Sequence, residues 1–301
     1  QLFNQLTKYR RRRGLVAQHS QLVSNQWVVG NVNSHRLNLM DYQELMKAAM
    51  AQANTAAQTT GDVPVGAIIV DAAGQVLAVG RNQRELLHDP TSHAEIEAIR
   101  SATAARGDWR LEDCTLVVTL EPCAHHGRTG PCCDALIKAK VGKVVAALSD
   151  PNPLVAGQGF NRLRAAGVAV EALPPDHPLA VESRELNVGF LSRMVRKAPW
   201  VRMKIAASLD GKTALPNGVS QWITSPEARA DGHAWRARAS AVLTGIGTVL
   251  QDRPRLDVRL VDTPRQPHLV VVDSKLETPL DSPIFLEGRK LFIYAAQEDQ
   301  A

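Results

Sequence analysis

Four residues in the middle of the chain could perform metal-assisted chemistry. His93 and Glu95 form an H-x-E motif, and Cys123 and Cys132 each follow a proline. One imidazole and two thiolates satisfy three positions of a tetrahedral zinc ion and leave the fourth for water. Glu95 is placed to carry a proton from that water to a leaving amine. The pattern predicts a catalytic zinc centre with ligands His93, Cys123 and Cys132, and with Glu95 as the catalytic residue.

The order H-x-E, P-C, C is the signature of zinc-dependent nucleobase deaminases. The usual second half is a tight C-x-x-C, whereas eight residues separate Cys123 from Cys132 here. Cys133 is a competing ligand, but a helix beginning at this point would turn it about 100° away, which favours Cys132. The alternative is that these are buried cysteines beside a capping carboxylate. Cys114 is interpreted as an ordinary core thiol.

The elements that must position these residues alternate between helices and strands, which predicts an α/β fold. Helices are predicted over residues 41–57, 94–105, 131–140, 160–166, 178–194 and 226–240. Strands are predicted over residues 64–70, 75–80, 114–120, 144–148, 168–172, 201–206, 241–244, 268–272 and 291–294. A turn at 71–74 joins the first two strands into a hairpin.

Composition excludes several classes of protein. The chain has 301 residues, 45% of them hydrophobic and 22% charged, with only 4 Cys, which is unlike a disordered chain or a disulfide scaffold. No apolar run approaches the length of a membrane span. Residues 1–40 hold six of the 35 basic residues and none of the 30 acidic ones, so the rest of the chain has a net charge of −1.

Residues 1–39 are therefore interpreted as a basic tail outside the folded domains. Either they are upstream residues preceding a natural start at Met40, or they form an arm that contacts nucleic acid. No apolar segment of a secretory signal follows the arginines at 10–13. We expect a cytoplasmic protein with no membrane partner.

The stretch at residues 119–132, TLEPCAHHGRTGPC, resembles the bifunctional riboflavin-biosynthesis pyrimidine deaminase/reductase family. Residues 150–157 also match the end of that family's deaminase domain. The resemblance implies that His125, His126 and Arg128 contact the ribose phosphate of the substrate. A cationic, glycine-containing loop that ends at a helix N-terminus suits a phosphate. The alternative is that these are solvated loop charges.

Four later segments, at residues 204–212, 220–224, 244–249 and 252–259, resemble the reductase domain of the same family. The resemblance implies a dihydrofolate-reductase-like fold that uses NADPH. The residues implied to face the cofactor are Ala206, Trp222, Thr248, Asp252 and Ser274. Those implied to face the substrate are Ser220, Arg236, Leu256 and Arg259. Taken singly, Trp222 or Asp252 would more often be a core or turn residue.

The chain stops at Ala301, before the family's later glycine-rich cofactor segment. We therefore expect a C-terminally truncated reductase domain, doubtful NADPH binding and no useful reductase activity. The domains are predicted as a tail at 1–39, a zinc deaminase domain at 40–197 and the incomplete reductase domain at 198–301. The first domain is expected to have the cytidine-deaminase-like three-layer fold.

The first half follows a different pattern, at residues 62–67, 80–82 and 88–93, which resembles the tRNA-specific adenosine deaminase. The riboflavin family has an Asn-Pro-x-Val-Gly segment, whereas the corresponding segment of this chain starts with Asp62 and reads Asp-Val-Pro-Val-Gly. The family also has a histidine at the position that Leu86 occupies in this chain. Under the tRNA resemblance Asn82 would contact the purine nucleoside. This resemblance covers about residues 41–123, and the riboflavin one about 114–301. A natural hybrid, a divergent member or an artefact of assembly would each give such a junction.

Both resemblances imply one zinc ion and the same hydrolytic step. We favour deamination of diaminohydroxyphosphoribosylaminopyrimidine in riboflavin biosynthesis, since the tRNA enzyme would have a cysteine where this chain has His126. The alternatives are a tRNA adenosine-to-inosine deaminase and a catalytically dead hybrid. The expected partner is a small pyrimidine ribose phosphate, or tRNA under the first alternative, and self-association into a homo-oligomer is expected.

Overall fold

The computed structural model describes residues 39–59, 61–152 and 156–296, with side chains from residue 42 onward. The predicted basic tail lies outside these residues, except for Leu39, which begins the first helix. The central residues of the 150–157 segment also lie outside them. None of the described helices combines the length and hydrophobicity needed to cross a membrane.

A five-stranded mixed sheet organises the part of the chain that contains the predicted zinc ligands. Its elements in chain order are α1 (Leu39–Thr59), β1 (Gly66–Val70), β2 (Val76–Arg81), α2 (Arg84–Leu87), α3 (Ala94–Arg106), β3 (Thr115–Val118), α4 (Cys132–Lys138), β4 (Lys143–Ala146), α5 (Gln158–Ala165), β5 (Ala169–Ala172), α6 (Pro178–Leu186) and α7 (Val188–Arg196). The strand order is β2-β1-β3-β4-β5. Strand β1 runs antiparallel to both neighbours, and β3, β4 and β5 are parallel.

Successive side chains of a strand point to opposite faces of the sheet, and both faces of this sheet are apolar. Helices therefore cover both faces. On one face Ile68, Val117 and Val145 pack with residues of α1 in a buried cluster. On the other face Ile69 and Leu116 belong to a larger cluster that includes residues of α3, α4 and α5. The strands are almost wholly apolar for this reason. The predicted three-layer α/β architecture of the first domain is confirmed.

The two helices that carry predicted zinc ligands begin at those ligands. Helix α3 begins at Ala94, with His93 in an extended conformation at its N-cap position. Helix α4 begins at Cys132, directly after Pro131. Strands β2 and β3 both run antiparallel to β1, so they point in the same direction. The chain passes from β2 toward α3 and from β3 toward α4, which brings the N-termini of the two helices to one end of the domain.

The second part contains a smaller parallel sheet of three strands. Its elements are α8 (Pro226–Arg238), β6 (Ala241–Gly245), α9 (Ile246–Asp252), β7 (His268–Val272) and β8 (Leu291–Tyr294). The strand order is β6-β7-β8. Its core is a small cluster around Val249, Leu269, Val271 and Ile284. This part is also α/β, as predicted.

The predicted strand at 201–206 is wrong, since this segment is not part of any sheet in the described residues. The alternating apolar residues that suggested it are Val201, Met203 and Ile205, whose exposed fractions are 78%, 79% and 60%. Alternation marks a strand only where a neighbouring strand pairs with it and another layer covers its apolar face.

The predicted helix at 178–194 is also interrupted, at Asn187 between α6 and α7. The Asn187 side-chain amide donates to the carbonyl oxygens of Pro64 (3.0 Å) and Ser183 (3.1 Å). This buried asparagine ties the helix pair to the segment before β1. The short helices α2 and α9 were not predicted.

Candidate active site

The three predicted zinc ligands come together although they are far apart in sequence. The donor atoms of His93, Cys123 and Cys132 all lie within 4.8 Å of one another. The Cys132 Sγ lies 3.4 Å from His93 Nδ1, and the backbone N–H of Cys132 donates to Cys123 Sγ at 3.2 Å. The segments that directly precede α3 and α4 supply this convergence.

The donor set and its spacing fit zinc. Zinc bonds of 2.0–2.3 Å to nitrogen and sulfur in a tetrahedral site place the donor atoms about 3.6 Å apart. The separation of Cys132 Sγ and His93 Nδ1 matches this value. Three protein donors also leave one coordination position free, as a catalytic rather than a structural zinc site requires.

Hydrogen bonding within the cluster favours the metal-binding thiolate form of one ligand, Cys123. Hydrogen bonds from the Cys132 thiol and from His93 lower the pKa of Cys123 to about 4, against burial, which raises it. The same hydrogen bond, together with burial, raises the pKa of Cys132. The hydrogen bond to Cys123 also raises the pKa of His93, against burial.

Glu95 is buried beside this cluster, in the first turn of α3. Burial raises the pKa of Glu95 to about 7, although the nearby His93 charge and a hydrogen bond from the Cys132 thiol act in the opposite direction. A carboxyl group with a pKa near the working pH can both accept and release a proton. The raised pKa is consistent with proton transfer by Glu95, whose catalytic role remains a prediction.

Cys133 points away from the metal cluster, as the helical turn predicted. Its Sγ donates to the backbone oxygen of Pro122 at 3.2 Å. Burial raises the pKa of Cys133 to about 12. Cys114 belongs to the apolar core, where burial raises its pKa. Neither thiol belongs to the cluster of metal-binding side chains in the described residues.

Asn82 fixes the start of α3. Its side-chain amide donates to the backbone oxygen of Val63 at 2.8 Å, and its Oδ1 accepts from the Ala94 N–H at 3.0 Å. Ala94 is the first residue of the helix, so this bond satisfies one of the N–H groups that a helix leaves free. The prediction that Asn82 contacts a nucleoside remains a prediction, since no ligand contact tests it.

Glu121 was not among the predicted site residues. This buried carboxylate accepts three backbone hydrogen bonds, from Asp150 (3.0 Å), Gly157 (3.0 Å) and Phe160 (3.2 Å). It thereby fastens the loop between β4 and α5 to the strand end that precedes Cys123. The signal in the sequence was a charged residue directly after an apolar strand, beside a metal-binding motif.

The loop between Cys123 and Cys132 carries the three predicted phosphate contacts. His125, His126 and Arg128 are all exposed. Of these, only His126 lines a cleft of about 280 Å³ that has His93 and Cys132 in its wall. Lys138, which was not among the predicted site residues, lines the same cleft.

The residues predicted to face the reductase substrate fall into two places. Arg236 donates to the backbone oxygen of Asp257, whose buried carboxylate pairs with Arg259 at 2.7 Å. Leu256 immediately precedes Asp257, so the structure brings Arg236, Leu256 and Arg259 together. Ser220 lies in an exposed segment without regular structure.

The five residues predicted to face NADPH are spread over three segments. Thr248 and Asp252 lie on α9, Ser274 follows β7, and Ala206 and the exposed Trp222 precede α8. No hydrogen bond of the described residues joins any of them to another. Their role as a cofactor site remains a prediction.

Both parts of the chain match known domain families. Residues 40–148 match the cytidine and deoxycytidylate deaminase zinc-binding region, and residues 199–301 match the RibD C-terminal domain. The riboflavin biosynthesis protein RibD of Escherichia coli (strain K12) is 44% identical over 252 residues, which cover 83% of this chain and 65% of that protein. The chain thus spans slightly less than two thirds of that relative's length.

A solved structure of the same family agrees with these matches. A diaminohydroxyphosphoribosylaminopyrimidine deaminase/5-amino-6-(5-phosphoribosylamino)uracil reductase from Thermotoga maritima has a TM-score of 0.73 and 36% identity, covering 86% of this chain and 71% of the other. A structure from a study of tRNA:A34 deaminases has 31% identity over 48% of this chain, with a TM-score of 0.39.

Proposed function

Because the chain belongs to the RibD family of riboflavin-biosynthesis proteins, we propose that it catalyses the hydrolytic deamination of diaminohydroxyphosphoribosylaminopyrimidine. The observation that carries the proposal is the convergence of His93, Cys123 and Cys132 beside the buried Glu95. The relative from Thermotoga maritima carries the name of this activity, and this chain has a donor set that fits its chemistry.

His93, Cys123 and Cys132 would hold the zinc ion, which supplies Lewis-acid activation of water at neutral pH. Glu95 then transfers protons between the water and the substrate. Its carboxylate accepts one proton from the attacking water and delivers it to the amino group that leaves the pyrimidine ring. The carbon–nitrogen bond breaks, a carbonyl replaces the amine, and ammonia is released.

Burial allows Glu95 to perform both transfers. An exposed carboxyl with an ordinary pKa would be almost fully ionised at neutral pH and would rarely carry a proton to donate, whereas burial raises the pKa of Glu95 and favours its protonated form. The ribose phosphate is proposed to contact His125, His126 and Arg128, since their loop connects the two cysteines of the metal cluster.

The second part of the chain is proposed to contribute to the reductase half of the family's activity. Arg236 and Arg259 converge at Asp257, and two guanidinium groups suit a sugar phosphate. NADPH is the proposed cofactor of this part. Cytoplasmic location and self-association stay predictions.

The test is ammonia release by the zinc-loaded 301-residue chain on diaminohydroxyphosphoribosylaminopyrimidine. We expect Glu95→Ala to lower kcat by about 10²–10⁴-fold while the zinc content stays unchanged, because Glu95 moves protons and does not bind metal. Glu97→Ala is the matched control on the same helix, where Glu97 pairs with Arg100 at 2.7 Å, and it should retain activity.

An active Glu95→Ala protein would refute the assigned role. If the wild-type chain releases no ammonia from the pyrimidine although it retains zinc, the proposed substrate is wrong. The next substrate to test would then be a tRNA anticodon adenosine, which the first half of the sequence suggests.

A further inference from the structure

Two arginines from the second part of the chain donate to the C-terminal ends of helices that belong to the first part. The first part, α1 to α7, contains the five-stranded sheet, and the second part, α8 to β8, contains the three-stranded sheet. We propose that Arg265 and Arg238 form a clamp that binds the C-terminal ends of α1 and α6 and thereby holds the second part folded against the first. This inference does not depend on the proposed function.

Arg265 donates to backbone carbonyl groups of both parts. Its Nη1 donates to Ala239 O at 3.2 Å, and its Nη2 donates to Ala237 O at 3.4 Å. Both carbonyl groups lie at the C-terminal end of α8. The same Nη2 also donates to Ala57 O at 3.5 Å, in the last turn of α1. One guanidinium group therefore bridges two helix ends, one from each part of the chain.

The electrostatics of the two helix ends explain why a cation is placed there. Within the described ranges, no carboxylate forms an ion pair with Arg265. Burial lowers the pKa of Arg265, which shows that its charge is partly removed from water. The C-terminal end of a helix carries free carbonyl groups and a partial negative charge. Because α1 has no basic residue in its own last turn, Arg265 supplies the cation that this helix end lacks.

The segment that carries Arg265 is held rigidly before the clamp forms. Pro264 and Pro267 flank it, and each proline restricts its backbone φ to roughly −65°. The side chain of Gln266 accepts from the Val258 N–H at 2.8 Å and donates to the Val258 carbonyl oxygen at 3.0 Å. A side chain presented on a fixed backbone loses less entropy when it forms its hydrogen bonds.

Arg238, the last residue of α8, forms the second contact of the clamp. Its Nη2 donates to Glu185 O at 3.4 Å, in the last turn of α6. Its Cζ lies 4.6 Å from the ring centre of Trp235, and the Cζ of Arg202 lies 3.5 Å from the same centre. Stacking on the indole favours this position of the guanidinium group. Since α1 packs against both α6 and α8, the two contacts belong to one interface.

The second part has a small core of its own, so the interface matters for its stability. Its buried cluster contains four apolar side chains, whereas the first part has two larger clusters. On the sheet face opposite that cluster, Leu243, Phe292 and Tyr294 are exposed. A small core leaves little net stability after the entropy cost of folding. Contacts with the first part are therefore expected to contribute a large share of it.

The experiment measures amide hydrogen exchange in the zinc-loaded full chain, which reports local opening of each sheet separately. Arg265→Met removes the donors and keeps a long apolar stem. We expect it to lower the protection factors of the β7 amides about tenfold, which corresponds to about 1.4 kcal/mol. Protection of the β1 amides should change by less than about twofold. The matched control is Arg253→Met, because Arg253 pairs with Asp281 on the surface of the second part, and it should leave both strands unchanged.

Arg238→Met separates a clamp from local support of α8. The carbonyl group that Arg238 contacts belongs to the first part, whereas Arg265 also binds carbonyl groups within the second part. We expect Arg238→Met to lower the protection of the β7 amides about threefold. This variant is also informative if Arg265→Met fails to fold, because Arg238 is exposed at the end of its helix.

Three results would overturn the inference. If Arg265→Met leaves the protection of the β7 amides at the wild-type value, this arginine does not hold the second part. If Arg238→Met has no effect on β7, the contact with the first part contributes nothing, and Arg265 acts only on its own part. If the β1 amides lose as much protection as those of β7, the variants unfold the whole chain rather than release the second part.

Discussion

Replacing Glu121 by glutamine should destabilise the zinc-binding domain although it changes the side chain by one atom. In the structure Oε2 accepts from the N–H groups of Asp150 and Gly157, and Oε1 accepts from Phe160. Asp150 and Gly157 belong to the segment between β4 and α5, and Phe160 lies in the first turn of α5. Glu121 itself is only 3% exposed, so water cannot readily replace it.

The loss of stability in Glu121→Gln depends on how many of the three hydrogen bonds the glutamine amide can still accept. The single oxygen of glutamine can serve the Asp150 and Gly157 N–H groups, which share one acceptor in the wild type. Its NH₂ group then faces the Phe160 N–H, which loses its acceptor. A buried donor without a partner costs about 1–3 kcal/mol. Because a neutral amide is less costly to bury than a carboxylate, we expect about 2 kcal/mol.

Thermal unfolding of the zinc-loaded protein measures this effect. At about 2–4 °C per kcal/mol for a domain of this size, the Tm of the Glu121→Gln protein should fall by about 4–8 °C. Glu112→Gln is the matched control, because Glu112 forms an ion pair with Lys140 on the exposed surface. Its effect should stay below about 0.5 kcal/mol.

A Glu121→Gln protein whose Tm equals that of the Glu112→Gln control would refute the reasoning. It would mean that the three hydrogen bonds to Glu121 contribute no more to the free energy of unfolding than the hydrogen bonds to water that replace them in the unfolded chain. A Glu121→Ala protein extends the series, since it leaves all three donors without an acceptor and should be less stable than Glu121→Gln.

Further predictions concern the helices around the site. Gly80→Ala should lower the Tm and weaken zinc retention, because the new Cβ would lie 2.1 Å from the backbone oxygen of Ala94 and displace the start of α3. Gly189→Ala should instead raise the free energy of unfolding by up to about 1 kcal/mol, because no atom lies within 4 Å of the new Cβ and alanine has a higher helix propensity than glycine. Thermal unfolding should therefore show a lower Tm for Gly80→Ala and a higher Tm for Gly189→Ala. Cys132→Ser should lose zinc on dialysis while Cys133→Ser retains it, as metal analysis would show, because only Cys132 faces the metal cluster; equal zinc contents would contradict this assignment.

Local signals in the sequence were sufficient for the elements that carry the site. The predicted helices at 94–105 and 131–140 match α3 and α4 to within two residues, and the apolar runs predicted every strand of the first sheet. The spacing of His93, Cys123 and Cys132 also predicted the metal cluster. The helix and strand signals act within a few residues. The metal ligands His93 and Cys132 are 39 residues apart, but metal chemistry restricts which residue types can take part.

The tertiary structure decided what depends on partners distant in sequence. Asn187 interrupts a helix because its amide reaches Pro64, which lies 123 residues away. The segment at 201–206 has a strand-like pattern but finds no strand to pair with. Glu121 gains its hydrogen bonds only from the loop that folding places beside it. The sequence therefore determined the chemistry at the metal cluster, whereas burial and long-range hydrogen bonding, which no local pattern encodes, decided which other side chains surround it.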